Sequence, residues 1–98
     1  MSLQRKREIS RSTSLKDELV VLLAREGIEI HESTDATWTD WAEIKLNDTY
    51  AIIISYDNPH HCDRESYDIY SVLESGMALV APCEAIADVI TELKRRIA

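Results

Sequence analysis

The sequence holds only two glycines, Gly27 and Gly76, and two cysteines, Cys62 and Cys83, in 98 residues. A glycine-rich loop that cradles phosphate needs several positions free of Cβ, so that chemistry is excluded. Two cysteines cannot build a disulfide framework, and a reduced, cytoplasmic setting is the expectation. Neither Cys-x-x-Cys nor His-x-x-x-His occurs, and a zinc-deaminase pattern would need a cysteine where Ile86 stands. No apolar run approaches the roughly 18 residues of a membrane span, and no apolar signal core follows the basic N-terminus. A membrane is therefore not an expected partner.

What is present is an ordinary globular composition, 45% hydrophobic and 30% charged, enough for one modest core. The net charge of −7 is unevenly spread. Residues 1–16 carry Arg5, Lys6, Arg7, Arg11 and Lys16 against Glu8, a local charge of +4, which leaves −11 on the rest. An acidic body repels a nucleic-acid backbone, so only a basic arm at residues 1–13 offers such a contact. Residues 14–98 read as a single α+β domain.

The chain is organised around Thr49-Tyr50-Ala51-Ile52-Ile53-Ile54-Ser55-Tyr56, a β-branched and aromatic run between turn formers. It reads as a strand with apolar side chains on both faces. Before it, Leu15, Leu19, Leu22 and Leu23 mark a helix over 15–26, capped by Ser14 and closed by Gly27. Ile28–Glu32 alternates as a short strand, and Trp38–Leu46 as a longer one that enters a hairpin at Asn47-Asp48.

Two registers suit that hairpin. A two-residue loop pairs Ile44 with Ala51 and puts Trp41, Tyr50, Ile52, Ile54 and Tyr56 on the outer face. A three-residue loop pairs Leu46 with Tyr50 and Ile44 with Ile52, and puts Ile53 outside. After the polar loop 57–65, residues 66–74 read as a strand by propensity, with a helix over 64–75 as the alternative. Met77–Ala81 forms a last strand. Pro82 opens a final helix whose stripe is Ile86, Val89, Ile90, Leu93 and Ile97.

The expected architecture is a two-layer α+β sandwich, with two helices on one face of a mainly antiparallel sheet of four to five strands. Its order is αβββ-loop-ββα, or, with a helical 64–75, one ending in a βαβ half. Two helices cover one face, so the apolar residues Trp41, Tyr50, Ile52, Ile53, Ile54 and Tyr56 are the candidate interaction surface. The implied protein is a small acidic interaction or regulatory protein without catalytic activity, with a homodimer partner or another protein and no cofactor.

A thiol- or metal-dependent enzyme is the alternative, built on His60, His61, Cys62 and Cys83. Adjacent ligands on one loop seldom converge on a metal. Cys83 sits in the expected first turn of the last helix, where the dipole activates a thiol, but also on its buried stripe. A nucleic-acid accessory role through Arg5, Lys6, Arg7 and Arg11 is the further alternative. The arm has no aromatic residue interleaved with its charges.

Overall fold

The computed structural model of the protein describes residues 11–35, 41–47, 49–57 and 64–97. Along them run α1 (Arg11–Arg25), β1 (Glu32–Thr34), β2 (Trp41–Lys45), β3 (Tyr50–Asp57), β4 (Arg64–Leu73), β5 (Gly76–Ala81) and α2 (Ile86–Ile97). Every ladder is antiparallel and joins sequence neighbours, giving the sheet order β1-β2-β3-β4-β5. The expected α+β sandwich is the fold.

The hairpin between β2 and β3 takes the three-residue loop. Ile44 faces Ile52 and Ala42 faces Ile54, and Leu46 N–H donates to the Tyr50 carbonyl at 3.0 Å. Asn47 makes this loop affordable. Its Oδ1 accepts the backbone N–H groups of Thr49 at 2.7 Å and Tyr50 at 2.9 Å, which the tight reversal would otherwise leave unpaired.

Residues 64–73 form a strand, so the helical alternative is set aside. Without β4 the second edge of β3 would have no ladder partner, and the register from Tyr50↔Ser71 to Ser55↔Ser66 supplies one. Tyr67 and Ile69 then stand opposite Ile54 and Ile52 on the face that the helices cover.

α1 and β1 depart from expectation at their ends. The helix starts at Arg11, about one turn before Ser14, because its first turn is tied down: Ser12 is fully buried and Thr13 nearly so. Arg11 reaches Glu65 at 3.3 Å and lies 5.8 Å from the ring centre of Tyr56. At the other end Gly27, with φ 78°, closes a Schellman turn in which Ile28 N–H reaches the Leu23 carbonyl at 2.9 Å. Ile28 and Ile30 pack against the core without ladder partners. Pairing begins only where His31 N–H meets the Lys45 carbonyl at 2.8 Å, which shifts β1 to Glu32–Thr34. The alternation of Ile28 and Ile30 therefore records packing, and the strand begins at Glu32.

α1 lies over β2 and β3, and α2 over β4. Between layers, Leu15, Leu19 and Leu23 of α1 and Val89 and Leu93 of α2 meet Ile44, Ile52, Ile54, Tyr67 and Ile69 of the sheet. Burying each such side chain contributes about 1.5–3 kcal/mol. An ion pair between Glu26 and Lys94 joins the C-terminal ends of the two helices. Lys16 is buried and paired with both Asp17 and Asp35.

Candidate interaction surface

The period of two along each strand sorts side chains between the helix-covered face and an outer face. The observed registers put Trp41, Glu43 and Lys45 of β2 on the outer side, with Ala51, Ile53 and Ser55 of β3. Ser66, Asp68, Tyr70 and Val72 of β4 follow, and Leu79 and Met77 of β5 complete it. No described element covers this face. Trp41 is 47% exposed, Met77 45% and Leu79 50%, while Ile53, Tyr70 and Val72 are half-buried by their neighbours. Ala51 is fully buried there, shut in between the longer Lys45 and Tyr70 that flank it in the ladders.

Of the six residues expected on the surface, Trp41 and Ile53 lie on the outer face. Ile52 and Ile54 do not: both are fully buried, because the three-residue loop turns them toward the helices. Tyr50 and Tyr56 share their side and are half-buried against the core. Tyr70, Val72, Met77 and Leu79 belong to the surface and were missed. Their signal was the alternation of Asp68, Tyr70 and Val72, legible only once β4 is known to be a strand.

Cys83 is not in the first turn of α2, as expected, but three residues before the helix. Its carbonyl accepts the Tyr67 N–H at 2.8 Å and its N–H bonds to the Asp68 side chain, so the chain stays extended past Pro82. The thiol is buried and its Sγ lies 3.7 Å from the Ala81 carbonyl oxygen. Burial, aided by the charges of Asp88, Glu92 and Asp68, pushes the thiol pKa up, away from an activated nucleophile. Burial also raises the Asp68 carboxyl, against the hydrogen bond from Cys83. His60, His61 and Cys62 lie outside the described residues, as do Arg5, Lys6 and Arg7. Arg11 belongs to the fold through Glu65 and Tyr56. Among the described residues no group of three or more His, Cys, Asp and Glu is placed to hold a metal ion, and no helix is long and apolar enough to cross a membrane.

A cleft of about 420 Å³ opens where the end of β5 meets α2. It is lined by Val80, Pro82 and Cys83 on one side and by Thr91, Glu92, Arg95 and Arg96 on the other. Arg95 Nη2 donates to both Glu92 oxygens at 2.8 Å, and Arg96 Nε to one of them at 3.1 Å. These bonds, Arg95 first, hold the Glu92 carboxyl below its usual range. Charge there is neutralised locally, which makes the cleft a poor binding site for a free anion.

The chain matches no family model, no curated protein and no solved structure.

Proposed function

We propose that the protein is a small interaction module without catalytic activity, which associates with a second copy of itself through the outer sheet face. The observation that carries this reading is the exposed apolar set on that face, with Trp41 and Leu79 each about half accessible. Leaving such surface in water forgoes roughly 25 cal/mol per Å² of apolar area. Tyr and Trp are the side chains interfaces favour, since they bury large area with few rotors to freeze.

The face is also self-complementary in charge. Glu43 and Lys45 stand beside each other's position along β2, two residues apart on the same side. A two-fold axis near them sets each Glu43 toward the Lys45 of the other copy, the isologous pattern of most homodimers. The buried free thiol of Cys83 suits a reducing compartment such as the cytoplasm.

Light scattering on Trp41→Glu tests the reading. The variant keeps its far-ultraviolet circular dichroism, because Trp41 is outside the core, and the particle mass falls relative to wild type. An unchanged mass refutes the proposed face.

A further inference from the structure

We infer that the open edge of β5 is a second, independent self-association site, where two copies pair antiparallel and join their sheets into one. This goes beyond the face contact, which lies along the sheet normal, whereas the edge contact lies in the sheet plane. The two edges of the sheet are treated differently. β1 is three residues long, polar and carries Glu32, the usual ways of blunting an edge. β5 is Gly-Met-Ala-Leu-Val-Ala, with no charge and no proline, and its first four residues are exposed. Neither helix packs extensively against β5.

The backbone geometry says which groups are on offer. Val72 N–H is used by the Thr49 carbonyl on the β3 side, at 2.7 Å. In an antiparallel ladder the residue opposite, Met77, therefore points its own N–H and C=O away from β4, and Leu79 opposite Tyr70 does the same. A two-fold axis at Ala78 pairs Met77 of each copy with Leu79 of the other, each pair exchanging both of its N–H···O bonds. Ala78 then meets its own counterpart in the closer, non-hydrogen-bonded pair, where a small side chain fits best.

Charge selects this occupant. Glu74, in the turn that precedes β5, forms no ion pair among the described residues. The antiparallel arrangement carries that turn alongside Val80 and Pro82 of the other copy, next to Arg95 and Arg96. Arg95 is two-thirds exposed, and Arg96 donates to the Val80 carbonyl at 3.5 Å. Glu92 holds both arginines and Asp88 lines the same cleft, so charge there is balanced overall, and the exposed Arg95 guanidinium is the group that an acid of a second copy can reach. A second copy thus brings an unpaired acid to an exposed guanidinium at the end of the edge, twice.

The test uses Trp41→Glu, in which the face contact is removed. Light scattering is expected to show a two-chain particle, and amide exchange to show slow Met77 and Leu79 N–H groups. Adding Ala78→Lys sets like charges opposite each other on the axis without touching the outer face. It is expected to give a folded monomer with fast exchange at both amides. Glu74→Arg, which perturbs no strand, should weaken the pairing about tenfold, and Glu74→Arg with Arg95→Glu should restore it. A Trp41→Glu protein that is monomeric with rapidly exchanging Met77 and Leu79 amides overturns the edge inference and leaves the face reading standing. Ala78→Lys alone giving a monomer does the opposite: the edge holds and the face reading fails.

Discussion

Cys83 reaches back to Tyr67, its carbonyl accepting the Tyr67 N–H at 2.8 Å two residues after β5 has ended. The hydrogen bond keeps Pro82 and Cys83 extended, delays α2 to Ile86, and turns the thiol inward. Cys83 is accordingly expected to resist iodoacetamide at pH 8 and to react fully in denaturant. Quantitative labelling of the native protein at Cys83 would show that the site opens.

Neighbouring isoleucines should respond in opposite ways. Ile54→Glu places a carboxylate in the core opposite Ala42 and Tyr67 and is expected to cost about 3–5 kcal/mol, enough to unfold a domain of this size. Ile53→Glu lies on the outer side and should remain folded while weakening association. Urea melts of the two variants measure this directly. If both unfold the protein alike, the three-residue register is wrong.

Tyr67 should set the alkaline limit of stability. Burial, then the 2.9 Å hydrogen bond from its hydroxyl to Glu65, pushes the phenol well above its usual range. A folded-state pKa raised above the unfolded value of about 10 means the contribution is complete below that pH and is lost above it. The urea midpoint should fall as pH rises beyond about 10, and less steeply in Tyr67→Phe. That variant loses one hydrogen bond at neutral pH, worth about 1 kcal/mol.

Lys16 offers a comparison between removing a buried charge and stranding it. Burial alone would lower its ammonium pKa, but hydrogen bonds to Asp35 and Asp17 outweigh burial and raise it. The stability this gives is present below the unfolded pKa of about 10.5 and drains away as pH rises past it. At pH 7 the double change Asp17→Asn, Asp35→Asn should cost about 1–2 kcal/mol, the acids being largely exposed. Lys16→Met should cost less, since it leaves no unpaired charge. Thermal melts at low salt make the comparison.

Strand and helix identities were legible wherever side-chain pattern and pairing agree. Leu15, Leu19 and Leu23, Val89 and Leu93, and the run Tyr50–Tyr56 are such places. The errors share a cause, which is that backbone hydrogen bonds between distant residues leave no mark on local sequence. Ile28 and Ile30 alternate like a strand yet bury without pairing, and Pro82 looks like a helix start yet is held extended by Tyr67 and Asp68. The surface was half legible for the same reason. Trp41 could be placed on it from the alternation of one strand and Ile53 only in one of two open registers of the hairpin, while Tyr70, Met77 and Leu79 depend on two further ladders and a bulge between Ile69 and Tyr70.

The meander has a kinetic meaning as well. Each strand pairs with the one just before or after it in the chain, so no ladder waits for a distant segment to arrive. Closing short loops forfeits little chain entropy, and rates rise as contacts become more local. Assembly can therefore grow hairpin by hairpin outward from β3, with α1 and α2 settling on strands already paired. β5 is an outer strand of that meander and its first four residues are exposed, so high protein concentration during refolding should favour its capture by another chain.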